Sequence, residues 1–225
     1  MVVLYILPWY NLTGTYLIVW EEEGLMKYEK IIKALIHNGY KVSYFENSNE
    51  AAKYIVDNVK NTTVGFGDSA TLESINLAEL LSKNNTVIDP APYSGDEFNE
   101  VAKKALLTDV FFTSVNGVAE TGELVNIDGT GNRVAGSLFG HKKIYFVFGT
   151  NKIEPNLEKA IWRARNIAAP QNSKRLGYNT PCAVKADRCY DCSSSERICN
   201  TLNIHLKKMK YVEAECIIIN ENLGM

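Results

Sequence analysis

The chain has little of what would mark a secreted, nucleic-acid-binding or hydrolytic protein. Five cysteines in 225 residues are too few for a disulfide scaffold. Three histidines, none beside a serine or cysteine in a recognisable grouping, give nucleophilic hydrolysis no support. Basic excess is missing as well. The 24 Lys and Arg against 26 Asp and Glu leave a net charge of −2, which argues against DNA or RNA as a partner. Hydrophobic residues at 46% and charged residues at 22% exclude disorder and a multi-pass membrane protein. No internal repeat or low-complexity linker is present.

The one long apolar run is at the start, and Pro8, Asn11, Thr13, Gly14 and Thr15 interrupt it. It has neither a basic flank nor a small-residue cleavage site, so a membrane anchor and a secretory signal are both unexpected and a cytoplasmic location is expected. Residues 1–25 therefore read as an N-terminal extension, from a misassigned start or an added β-hairpin. A regular amphipathic helix begins at Met26 and opens a domain over 26–225.

Charge is unevenly spread. Residues 1–112 carry 9 basic against 15 acidic side chains, and residues 113–225 carry 15 against 11, so the C-terminal half is the basic one. Along the chain, helical periodicity over 26–37, 50–59, 70–83, 96–107, 132–139 and 156–168 alternates with short apolar runs at 42–45, 63–66, 86–89, 109–114 and 143–148. A last strand is expected at 215–220, after an irregular stretch over 169–200. Strands that are apolar almost continuously predict a parallel sheet covered on both faces, an α/β three-layer Rossmann-like sandwich.

In such sheets ligands bind beyond the carboxyl ends of the strands. Two Gly-rich loops fall there. In G-F-G-D-S-A-T (65–71), Gly67, Ser69 and Thr71 are candidate ligand contacts. The loop also satisfies G-x-G-x-x-A, with Asp89 near the distance of a ribose-binding acid, but it follows the second predicted strand, so NAD(P) is not expected. A turn with a helix cap accounts for it better.

The second loop, 116–135, mixes both charge signs with glycines, where binding and catalysis tend to occur. A hairpin alone would need the glycines but not this density of polar groups. Glu120 and Asp128 are the general acid/base candidates for an α-hydroxy acid or enediol. Asn116, Asn126, Gly131, Asn132 and Arg133 are candidate ligand contacts. With Lys152, placed after Gly149-Thr150-Asn151, Arg133 would hold a small anion through its carboxylate or phosphate. A solvated loop lysine is the competing reading of Lys152. His141 is expected to face solvent, and Trp162 to lie in the core or an interface. Arg163 and Arg165 cannot share a helix face, so one of them should be at the surface.

Cys182, Cys189, Cys192 and Cys199 form C-x6-C-x2-C-x6-C within the Cys-rich segment 181–200. A C-x-x-C pair can chelate a metal from one turn, and the six-residue spacers let the outer thiols fold back. An iron–sulfur cluster is the first candidate, unmetallated thiols or disulfides come next, and zinc is the less favoured metal. Arg188 and Arg197 would stabilise thiolates. Cys216, in an apolar run, reads as a buried residue.

The ordered set G-F-G-D-S-A-T-L, N-G-V-A-E-T-G-E-L-V-N, D-G-T-G-N-R, G-T-N-K, P-C…C-x-x-C…I-C-N and E-N-L-G, from about Met26 to Gly224, resembles the LUD domain family, in its single-domain, lactate-utilization-protein-C-like branch. The resemblance implies a fold like that of the ribose-5-phosphate isomerase and CoA-transferase superfamily. It also implies a part in lactate oxidation to pyruvate beside iron–sulfur partner proteins. Asp68 and Asn76 stand where the resemblance calls for Gly, and His141 where it calls for Pro. The leading expectation is a redox-associated subunit binding a lactate- or pyruvate-like anion. A non-catalytic electron-transfer or scaffold subunit, and a phosphosugar or CoA-ester enzyme, are the alternatives.

Overall fold

The computed structural model describes residues 24–185 and 187–225. The extension expected at 1–25 lies almost wholly outside the described residues. Helix α1 (Gly24–His37) leads into β1 (Lys41–Phe45), α2 (Ser48–Asn58) and β2 (Thr63–Phe66). Next come α3 (Ala70–Ser74), α4 (Leu77–Ser82), β3 (Thr86–Ile88), α5 (Gly95–Ala105) and β4 (Val110–Thr113). A hairpin, β5 (Gly117–Ala119) and β6 (Leu124–Asp128), precedes α6 (Asn132–Leu138) and β7 (Lys143–Gly149).

After a 3-10 turn (Thr150–Lys152) come β8 (Ile153–Glu154) and α7 (Leu157–Arg163), which continues through a π-helical stretch (Ala164–Ala168) into α8 (Ala169–Arg175). Helix α9 (Pro181–Lys185), β9 (Thr201–His205) and β10 (Glu213–Ile219) close the chain. Among the described residues, no helix is long and apolar enough to cross a membrane.

Six strands form one sheet in the order β1-β10-β7-β4-β2-β3, every neighbouring pair parallel. Side chains alternate between two cores. Ile144, Phe146 and Phe148 of β7 and Cys216 and Ile218 of β10 pack on one face with α1, whereas Tyr145, Val147, Ile217 and Ile219 pack on the other against α2, α3 and α4. Both faces are covered, which is why these strands read as continuous apolar runs, and the result is the expected three-layer sandwich.

The sequence reading missed a second, mixed sheet of order β8-β5-β6-β9 beside the first face. Val125 and Ile127 cover α7 and the π-helical stretch there through Ala160 and Ala164. The helix expected over 70–83 is two helices, because Asn76 turns the chain with φ 52°. The stretch expected to be irregular over 169–200 contains α8 and α9. His141 is buried, not solvent-facing. Its ring stacks on Phe111 at 4.6 Å, and Nδ1 lies 2.6 Å from the Thr108 carbonyl oxygen. Trp162 is 52% exposed rather than part of the core.

At the amino-terminal edge of the sheet, Glu215 is fully buried between Lys41 and Lys143, 3.3 and 3.1 Å away. It also accepts from Ser43 and Tyr54. Burial alone would raise its carboxyl pKa, but the two lysines and two hydroxyls outweigh burial and lower it.

Candidate functional site

Strand order fixes where a ligand can sit. Neighbours β2 and β4 send the chain in opposite directions, β2 onward to β3 and β4 onward to β7, so their carboxyl ends flank a topological switch point. The loops after β2, β4 and β7 meet there. They bring Thr71, Ser114 and Lys152 together: Lys152 Nζ donates to Thr71 Oγ1 at 2.8 Å and to Ser114 Oγ at 3.0 Å, and Ser114 Oγ donates to Thr71 Oγ1 at 3.2 Å. Lys152 is 3% exposed, which removes the solvated-loop reading. Among the described residues, no carboxylate lies within 4 Å of its ammonium. Burial first, then Arg163 and Arg133, push its pKa well below the ordinary lysine value.

Around this amine lies a cavity of about 40 Å³, lined by Asp68, Ser69, Asn116, Arg133, Asn172 and Arg175 among others. A larger cavity of about 320 Å³, with Leu72, Glu73 and Asp89 in its wall, shares Ser69 with it. Arg133 reaches the site because Gly67 lacks a side chain: a Cβ there would lie 3.0 Å from Arg133 Cγ. Its Nη2 donates to Asn116 Oδ1 at 2.9 Å and to the Ile127 carbonyl oxygen. Asp68 holds a left-handed φ of 49° beside these cations. Burial first, and Glu73 next, raise its carboxyl pKa against the opposing pull of Arg175 and Arg133.

Arg163 is buried and ties three segments together. It donates to the carbonyl oxygens of Asn151 (3.1 Å) and Asn116 (2.6 Å) and to the backbone oxygen of Met225 (3.2 Å). Arg165, two residues on, is at the surface, as the helix-face argument required. The closing residues wall the site: Thr71 Oγ1 donates to the Leu223 carbonyl oxygen at 3.4 Å, and Leu223 N donates to Asn151 Oδ1 at 3.2 Å.

Of the residues read from sequence, Ser69, Thr71, Asn116, Arg133 and Lys152 thus share one cavity. Gly131 and Asn132 begin the helix that carries Arg133. Asn126 lies apart from them, fully buried on β6 and in register with Asn203. Neither of its amide atoms has a partner among the described residues.

The two carboxylates expected to work together do not meet. Glu120 follows β5 at the turn of the hairpin and pairs with Lys30 at 2.6 Å. Asp128 ends β6 at the open end, roughly 15–20 Å away by strand rise. Asp128 accepts from the backbone N–H groups of Thr130, Gly131 and Val134 at 3.0–3.2 Å, which organises the turn into α6. Sequence reasoning missed Asp68, Ser114, Asn172 and Arg175. Ser114 was legible only as a strand end, and the last two lie on α8, in the stretch read as irregular.

The four clustered cysteines are half-buried and unpaired. Burial raises the Cys199 thiol pKa, Arg197 opposes this, and Cys189, Cys192 and Cys182 add to the rise. Asp191 N donates to Cys189 Sγ at 3.3 Å, and Arg165 lies 3.9 Å from the same sulfur. Among the described residues, no three His, Cys, Asp or Glu side chains converge closely enough to hold a metal ion. Cys216 is buried, as expected.

Compared with known proteins, the chain matches the sequence model of the LUD domain over residues 28–219. Among curated proteins none matches. The fold is similar to the crystal structure of a DUF162 family protein from Deinococcus radiodurans, with a TM-score of 0.52 and 12% sequence identity. That alignment covers 88% of this chain and 99% of the other.

Proposed function

Because the chain belongs to the LUD domain family of lactate-utilization-type proteins, we propose that its switch-point cavity binds a small carboxylate anion of the lactate or pyruvate type. The observation that carries this reading is Lys152, a buried amine with no carboxylate within 4 Å among the described residues, in a cavity wall it shares with the guanidiniums of Arg133 and of Arg175, the latter 3.5 Å from Glu73, and with the Asp68 carboxyl. Buried cations are otherwise paired, so a site built this way favours an incoming anion. Arg133 provides planar, fork-shaped donors suited to a carboxylate. Thr71, Ser114 and Asn116 supply neutral groups that fix its orientation.

Thermal-shift titration with lactate, pyruvate, inorganic phosphate and a coenzyme A ester tests the reading. Stabilisation by the two small acids, lost in Lys152→Met, is the expected result. Stabilisation by the coenzyme A ester or phosphate alone overturns it in favour of the phosphosugar or CoA-ester alternative.

The cysteine segment supports a second, separate reading, a redox-associated role with an iron–sulfur cluster first and zinc second. Four unpaired thiols in the one segment 182–199, with Arg165 near Cys189 and Arg197 bonded to the Cys199 backbone, are its basis. In that role the protein would work beside iron–sulfur partner proteins. Anaerobic purification with an ultraviolet–visible spectrum and iron and zinc analysis decides it. Absence of both metals overturns it.

A further inference from the structure

We propose that Lys152 captures an α-keto acid covalently, forming an imine with the carbonyl carbon while Arg133 and Arg175 hold the carboxylate. This rests on the anion-binding reading and adds a chemical step to it. While the site is empty, a lysine keeps its charge at little cost only where it is solvated or paired. In that state Lys152 is neither. It is buried, its partners are the hydroxyls of Thr71 and Ser114, and no carboxylate lies within 4 Å among the described residues. Arg163 and Arg133 add positive charge around it, so both surroundings and burial favour the neutral amine, which is the nucleophilic form.

The site also provides the other parts such a step needs. Guanidiniums share the cavity wall with the amine, so the carboxylate and the adjacent carbonyl of one small acid can be engaged together. Ser69 lines both this cavity and the one of about 320 Å³, so the two lie side by side. Thr71 and Ser114, 3.2 Å apart and both on Nζ, form a hydroxyl pair that can pass a proton.

The lone pair of the Lys152 amine attacks the keto carbon, and the carbonyl electron pair moves to oxygen. A proton passes from nitrogen to that oxygen through the hydroxyl pair, giving a carbinolamine. The C–O bond then breaks, the oxygen leaves as water with a second proton taken from nitrogen, and the C=N bond forms. One water is released and nothing is oxidised or reduced. Hydrolysis reverses the step. An α-hydroxy acid has no carbonyl and binds without reacting.

The test is reductive trapping. The full chain is incubated at neutral pH with pyruvate and then sodium borohydride, followed by intact mass and peptide mapping. One reduced adduct per chain, located on Lys152, is expected; lactate gives none, and Lys152→Arg and Lys152→Met give none. Thr71→Val should slow adduct formation about tenfold or more, because the relay is broken. A thermal-shift titration with pyruvate runs in parallel. Stabilisation by pyruvate without an adduct, or an adduct spread over surface lysines and unchanged in Lys152→Met, overturns the imine and leaves the anion-binding reading standing. No stabilisation by either acid and no adduct overturns both.

Discussion

Gly67 and Arg133 are in contact through what the glycine lacks: a Cβ at position 67 would lie 3.0 Å from Arg133 Cγ, and 3.2 Å from both Phe111 Cζ and Thr113 Oγ1. The bare backbone after β2 therefore sets how far the guanidinium stem reaches over the carboxyl ends of the strands. Gly67→Ala must displace all three neighbours by a few tenths of an ångström. The expected outcome is a stability loss of about 1–2 kcal/mol from overpacking, together with pyruvate binding weakened roughly tenfold as Arg133 shifts. Isothermal titration beside urea denaturation measures the two effects separately. Unchanged affinity would show that Arg133 is not part of the anion site.

Lys152 makes stability depend on pH in a definite direction. The unfolded chain keeps this lysine protonated to about pH 10.4, whereas the folded chain releases the proton at lower pH. Between those values the unfolded state binds the extra proton, so stability rises with pH, and below the lowered value the burial penalty is fully present. Lys152→Met removes the penalty. The variant should be more stable than the natural chain at pH 7, by roughly 1 kcal/mol, with a margin that narrows as pH approaches 10. Urea midpoints at pH 7 and pH 9 measure that margin, and a widening one contradicts the assignment.

His205 contributes on the acid side. Its Nε2 lies 3.0 Å from Ser137 Oγ and its ring meets Phe146 edge-on at 5.3 Å, and burial pushes its pKa down to about 4. Between pH 6.5 and 4 the unfolded chain takes up a proton that the folded chain refuses. Stability therefore falls as pH falls through that window, by roughly 3 kcal/mol from this group. His205→Gln should flatten that limb in denaturation curves run at pH 7, 5.5 and 4.5. An unaltered slope would assign acid lability elsewhere.

Glu120 and Asp128 should separate in mutagenesis. Glu120→Gln breaks one surface ion pair, worth at most about 0.5 kcal/mol, and should leave pyruvate binding unchanged. Asp128→Ala strips the acceptor from three backbone N–H groups and should cost about 1–2 kcal/mol. Reduced pyruvate affinity in Glu120→Gln, measured by titration, would return it to the site.

The parallel sheet was legible because its strands are buried on both faces, which leaves a continuous apolar trace. The small sheet was not, since β5 and β8 are only three and two residues long and show no alternation. The positions where the resemblance calls for Gly are instructive. Asp68 and Asn76 both adopt left-handed backbone, φ 49° and 52°, and they belong to the short polar class that tolerates it. The substitutions therefore keep the turns while adding polar groups. His141 misled because a polar side chain before a strand reads as solvated, and nothing in sequence announces that Phe111 will stack on it. Lys152 and Arg133 were found because each ends or enters a Gly-rich connection. Arg175 was lost because Pro170 reads as a helix stop.

That proline follows the π-helical stretch, where Ala169 N–H reaches back to the Ala164 carbonyl oxygen. The widened turn is where a continuous helix can take in a residue that has no donor and a ring in the way. The helix is consequently rewound in mid-course. Before the stretch Arg163 faces inward to the strand loops, within it Arg165 and Asn166 meet the Cys189 backbone and sulfur, and after it Asn172 and Arg175 reach the cavity. The π turn thus fits one extra residue into a rod that serves two chemistries. Deleting a single residue from it would return the rod to uniform winding with Asn172 and Arg175 still on nearly the same side, because the i→i−5 turn takes up the residue that an α turn would not.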